Sequence, residues 1–128
     1  MGIEDILDAT FKAVSSCEVA AFGDTNSRLI LRACHEDNVR REYLNALCDQ
    51  AARCFRVVDT AVSFQSDIDD AEAEFNEATL VSQGKMTVFV RVDFTSPDFL
   101  CLVCRTPQDP SNLTSIAHDT LQKINLVQ

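Results

Sequence analysis

The sequence holds only three glycines, Gly2, Gly23 and Gly84, and that scarcity excludes several chemistries. A loop that cradles phosphate needs glycines so that backbone N–H groups can close on the anion, and neither a Walker loop nor a dinucleotide fingerprint nor a nucleophile elbow is present. Long apolar runs are also missing. The longest, near Met86 to Val92, is interrupted by Arg91 and falls short of the roughly 20 residues that a membrane span requires. The first residues, MGIEDILD, lack the basic and apolar regions of a secretory leader, and they lack the Ser or Thr that would signal myristoylation. Positive charge is scarce: 11 Lys and Arg against 20 Asp and Glu leave a net charge of −9. A phosphate-binding surface wants clustered cations, so neither nucleic acid nor an anionic membrane is expected as a partner. These absences together predict a soluble cytoplasmic protein.

What is present is a globular composition, 46% hydrophobic over 128 residues, which predicts one domain spanning 1–128 with a core that needs no metal or disulfide staple. The stretch that organises it is Val39 to Val58, VRREYLNALCDQAARCFRVV. At about 100° per residue it places Val39, Tyr43, Ala46, Leu47, Gln50, Ala51, Cys54, Phe55 and Val58 on one helix face. Leu44, Cys48 and Phe55 widen the stripe on one side to roughly half the circumference, where about 100° of arc suffices to seat a surface helix. The surplus predicts two packing partners, the protein's own core and a second chain.

The flanking segments have clear periodicities. Ile3 to Val14 reads as a helix with carboxylates Glu4, Asp5 and Asp8 in its first turns and Ser15-Ser16 at its end. CEVAAF (17–22) and RLILRAC (28–34) read as a hairpin joined by the turn residues Gly23 to Ser27, with Asp37 or Asn38 as the N-cap of the central helix. Ala61, Val62 and Phe64 prolong that helix by a turn. Ser66 to Asn76 carries five carboxylates and no cation. It is read as a solvated loop or frayed helix, with a docking surface for a basic partner as a lesser alternative. A calcium loop fails there, because Glu72 stands where a glycine is needed and Ala78 where a glutamate is needed. Ala78–Ser82, Met86–Phe94 and Phe99–Arg105 form a three-stranded meander, and Asp109-Pro110 opens the last helix. The predicted architecture is α+β: an antiparallel five-stranded sheet with helices on its faces.

Candidate chemistry is sparse. Cys101 and Cys104 make a CxxC, but within a strand positions i and i+3 point to opposite faces, so the two thiols cannot easily share a zinc ion. Cys17, Cys34, Cys48 and Cys54 sit in apolar periodic segments and are read as reduced core residues. His35 is read as a solvated loop residue. His118 and Asp119 are adjacent on a helix, about 100° apart, and form no dyad. No catalytic residue, metal site or cofactor is expected.

Over nearly its whole length the chain resembles the roadblock/LC7 family. The helix IEDILDATFKAV leads into EVAAFGDTNSRLILRA, which is similar to that family's strand–turn–strand hairpin, and FLCLVCRTPQDPSNLTSIAHDTLQKI resembles its closing strand and helix. The resemblance implies the profilin-like order α-β-β-α-β-β-β-α and a non-enzymatic interaction module. It further implies a homodimer in which central helices pack together and third strands join, and a role as partner or regulator of a small Ras-like GTPase or of a motor or signalling assembly. Carried onto this chain, the dimer surface is expected at Leu44, Cys48 and Phe55 of the helix with Thr79, Leu80 and Val81 of the strand. The alternative is a type III secretion chaperone-like acidic dimer that binds a partner's unfolded segment.

Overall fold

The structure is a computed structural model that describes residues 2–64, 75–106 and 108–128. Its order is α1 (Ile3–Ala13), β1 (Cys17–Asp24), β2 (Leu29–His35), α2 (Arg41–Phe64), β3 (Glu77–Ser82), β4 (Lys85–Arg91), β5 (Asp98–Arg105) and α3 (Pro110–Val127). The strands form one antiparallel sheet in the order β2-β1-β5-β4-β3. The hairpin and the meander are thus zipped together through β1 and β5, and β5 lies at the centre.

Local chemistry accounts for the boundaries. The side chain of Asp109 accepts from Ser111 N at 3.0 Å, with Pro110 in the first turn of α3. This satisfies an N–H that has no partner inside the helix. The β3–β4 turn is Gln83-Gly84, both at positive φ (52° and 77°), the backbone that a two-residue hairpin requires. Arg28, also at positive φ, belongs to the β1–β2 turn rather than to β2. The central helix begins two residues later than predicted and runs on to Phe64. Asp37 and Asn38 do not cap it. They occupy a turn closed by Val39 N donating to Glu36 O at 3.1 Å, a setting that suits Asp and Asn equally well.

The sheet has a core on each face. Ile6, Leu7, Phe22, Val88, Leu102 and Leu113 belong to the cluster under α1 and α3. Val19, Leu47, Ala51, Phe89, Phe99 and Cys101 belong to the cluster under α2. Alternation along β4 sends Met86, Val88 and Val90 to the first and Phe89 to the second. The mixed face of that strand, which includes Thr87 and Arg91, is therefore covered by α2. Phe89 and Phe99 meet edge to face, with centroids 6.2 Å apart, an arrangement worth about 0.5–1.5 kcal/mol beyond burial alone. Phe99 also crowds Gly23, where a Cβ would stand 2.8 Å from the ring. No helix among the described residues is long and apolar enough to cross a membrane.

Candidate interaction surface

The sheet has two edges, and they differ. At β2 the register shifts between Phe22 and Gly23, so that Leu31 is an extra residue facing no partner. Arg32 stands in mid-strand with its guanidinium 3.4 Å from Glu4. A bulge and a charge are devices that blunt an edge against pairing with another chain. At β3 the register runs unbroken from Glu77 opposite Val90 to Ser82 opposite Lys85. Glu77 is the only charged residue in EATLVS, and neither proline nor bulge interrupts it.

The main-chain groups of β3 can be placed from the ladder. Arg91 N donates to Asn76 O at 2.9 Å, which makes Glu77–Val90 a non-hydrogen-bonded pair. By alternation Thr79–Val88 and Val81–Met86 are non-hydrogen-bonded as well. Glu77, Thr79 and Val81 therefore turn their N–H and C=O groups away from β4, toward the open side. Val81 is 65% exposed and Leu80 38%, and Thr79 is exposed as well. The strand residues proposed from the sequence do lie on an accessible edge.

The helix residues do not. Leu44, Cys48 and Phe55 are buried in the cluster between α2 and the sheet, so the flank expected to face outward faces inward. Leu44, Leu47, Cys48, Ala51 and Phe55 follow one another at spacings of three and four, and they form the narrow inner stripe. The surplus apolar arc lies on the opposite flank, along half-buried Tyr43 and Cys54 and exposed Ala46 and Val57. Lys85 Nζ sits 5.3 Å from the centroid of the Tyr43 ring, which puts this flank on the β4–β3 side. The polar flank is tied to the β1–β2 turn, where Arg28 Nη1 lies 2.7 Å from Asp49 Oδ1. The half-open apolar flank of α2 and the bare edge of β3 therefore lie on the same side of the molecule.

Arg91 holds these two elements in place. Its side chain is 5% exposed and lies 2.5 and 3.2 Å from the two carboxylate oxygens of Asp59. It also donates to Phe75 O at 3.1 Å and Asn76 Oδ1 at 3.3 Å, and it stacks 4.5 Å from the centroid of Phe55. One guanidinium thus ties the C-terminal half of α2 to the residues that lead into β3.

Other clusters look structural. Glu18 lies 3.1 Å from Lys85 Nζ and 3.4 Å from Arg105 Nη1, and Arg105 continues to Glu36 at 3.3 Å. His118 Nε2 meets Glu77 Oε2 at 2.9 Å and so links α3 to the first residue of β3, a partner that adjacency on the helix could not indicate. His35 is half-buried at the end of β2, with Nδ1 2.8 Å from Glu36 O, rather than in a solvated loop. Cys101 faces α2 and Cys104 faces α1 and α3, as the strand reading of the CxxC requires. Burial pushes the Cys48 thiol up to about 11 and raises Cys101 as well, the opposite of an activated nucleophile. No group of three metal-ligating side chains occurs among the described residues. A cleft of about 500 Å3 opens beside Arg28, Arg56, Arg91 and Ser96, with two of these guanidiniums already paired to carboxylates. The acidic stretch read as a loop or docking surface falls largely on 65–74, outside the described residues.

An antiparallel sheet with paired helices on one face and a long helix on the other defines an α+β domain of profilin-like order. More particularly, the chain has the roadblock/LC7 fold. A roadblock/LC7 domain from Streptomyces avermitilis superposes with a TM-score of 0.76 at 7% identity, covering 98% of this chain and 97% of that one. MglC from Myxococcus xanthus gives 0.66 at 17% identity, with 98% of both chains covered. An MglB structure described as a tetrameric arrangement gives 0.76 at 12% identity, with 98% of this chain and 86% of that one covered. No family model matches the sequence, and no curated protein matches it either. At these identities the likeness is one of fold.

Proposed function

We propose that this chain is a non-enzymatic protein-interaction module, one domain over 1–128, which forms a homodimer through the β3 edge and the adjoining flank of α2 and engages a small Ras-like GTPase. The observation that carries the dimer is the contrast between the edges: β2 is bulged at Leu31 with its one charge, Arg32, in mid-strand, whereas β3 runs unbroken with its one charge, Glu77, at its first residue and Leu80 and Val81 exposed. A strand edge left in that condition is a template for another strand. The interface residues are therefore Thr79, Leu80 and Val81 with Ala46, Cys54 and Val57. Leu44, Cys48 and Phe55 support it from inside. The oligomeric arrangement described for the MglB relative points the same way.

Support for the GTPase comes from the family resemblance together with the MglB and MglC folds. A direct test uses sedimentation equilibrium at micromolar concentration. A dimer that Thr79→Pro converts to a folded monomer supports the interface, and a wild-type monomer sinks it. The partner class is tested separately by affinity capture from native extract, followed by a GTP-binding assay on what is retained. Recovery of a partially unfolded secreted substrate instead of a GTP-binding protein favours the chaperone-like alternative.

A further inference from the structure

Cys17 opens β1, and Cys104 stands directly opposite it near the end of β5. Arg105 N donates to Ser16 O at 3.1 Å. That bond makes Cys17–Cys104 a non-hydrogen-bonded antiparallel pair on that side, and on the other side the register shifts at a bulge between Cys17 and Val19. In such pairs opposed Cα atoms stand about 4.5 Å apart, closer than in the hydrogen-bonded kind. This separation falls within the range of roughly 4.4–6.8 Å that a disulfide spans. Both side chains point to the α1/α3 face, and both thiols are free. Met86 lies across from Cys104 on the other side, so the Cys104 sulfur sits between an opposed thiol and a thioether.

We propose that Cys17 and Cys104 are a covalent modification site at which a peroxide forms an intramolecular disulfide, joining β1 to β5 across the middle of the sheet. The chemistry balances with hydrogen peroxide as the oxidant. The thiolate of one of the two cysteines attacks one peroxide oxygen, the O–O bond breaks, hydroxide leaves and a sulfenic acid forms. The sulfur of the other cysteine then attacks the sulfenic sulfur, the S–O bond breaks and water leaves. Two thiols and one peroxide become one disulfide and two waters, with two electrons and two protons passing to the peroxide. The interaction between the thiols lowers the pKa of Cys104, and that same interaction, with burial, raises that of Cys17. Cys17, at 6% exposure beside Ser16 at the end of its strand, is the more accessible of the two and Cys104 is fully buried, so a small oxidant reaches the pair from the Cys17 side.

The crosslink would enclose β2, α2, β3 and β4, which lie between the two cysteines in the chain. It would restrict the unfolded chain over most of the fold. The proposal is independent of the dimer, because Cys17 and Cys104 are in neither proposed interface element.

The test treats the reduced, folded full chain with hydrogen peroxide, quenches free thiols with an alkylating agent and maps the peptides by mass spectrometry. The expected result is a linked peptide containing Cys17 and Cys104, with the chain lighter by two hydrogens and melting at a higher temperature than the reduced form. Cys17→Ala and Cys104→Ala should each abolish the linkage, and Cys54→Ala should leave it intact. Circular dichroism checks that each variant is folded. A linkage through Cys48 and Cys101, an intermolecular link as the main product, or thiols that stay free or go to sulfinic acid in the folded wild type would each overturn the proposal.

Discussion

The two edges of this sheet are built from similar material and end in opposite conditions. β2 and β3 are both short, both rich in branched residues and both paired on one side only. β2 carries Arg32 in mid-strand and an extra residue at Leu31, so its ladder is bent and charged. β3 has a regular ladder, three outward-facing backbone positions and an apolar neighbour in α2. The difference teaches that an edge is defined less by its hydrophobicity than by whether anything obstructs a further strand. An obstructed edge is closed to a further strand, and an unobstructed one is open to it.

The harshest way to break the comparison removes the platform beneath both edges. Leu44→Glu puts a carboxylate into the cluster under α2, at a cost on the order of 4 kcal/mol or more against a total stability of about 5–15 kcal/mol. The variant should show unfolded or aggregated material by circular dichroism and size exclusion. A folded monomer would return Leu44 to the outer surface. Next comes Arg91→Met, which should cost about 1–3 kcal/mol in urea unfolding, since hydrogen bonds to Asp59, Phe75 and Asn76 are lost together. It should weaken dimerisation more than stability explains, because β3 is no longer tied to α2. Gly23→Ala disturbs the bulged side: its Cβ would stand 2.8 Å from Phe99 and 3.0 Å from Leu29 O. About 1–3 kcal/mol should be lost through overpacking, with the oligomeric state kept. The smallest effect on the fold belongs to Thr79→Pro. Its N–H faces away from β4, so stability should change by less than about 1 kcal/mol while the dimer dissociates. If Thr79→Pro unfolds the protein or leaves the dimer intact, the two edges do not differ as described.

Most of the fold was legible because periodicity is local. The α3 cap at Asp109-Pro110, the β3–β4 turn, the meander and the split of Cys101 from Cys104 all follow from residues close together in sequence. The candidate surface was half legible. Thr79, Leu80 and Val81 were named from the family resemblance, which implies that third strands join, and the structure leaves them on an accessible edge. The helix flank was misjudged because an apolar arc of half a circumference has two sides, and composition does not say which one the sheet takes. Bulky Leu44 and Phe55 went to the sheet, whereas Ala46, Cys54 and Val57 were left half-open. Nothing in β4 could announce that Arg91 closes on Asp59 and Asn76, since these lie on separate elements brought together only by packing. The partnership of His118 with Glu77 is of the same kind.

The sequence by itself determined the order of elements, their approximate bounds, the acidic character and the absence of a phosphate loop, all of which depend on neighbours along the chain. Tertiary structure alone decided that β1 zips to β5, that Cys17 faces Cys104 and that α2 turns its Leu44–Phe55 stripe inward. It likewise decided that β3 rather than β2 is the open edge. Those outcomes depend on which faces meet when the hairpin and the meander close into one sheet, and that choice is settled by packing the largest side chains without voids.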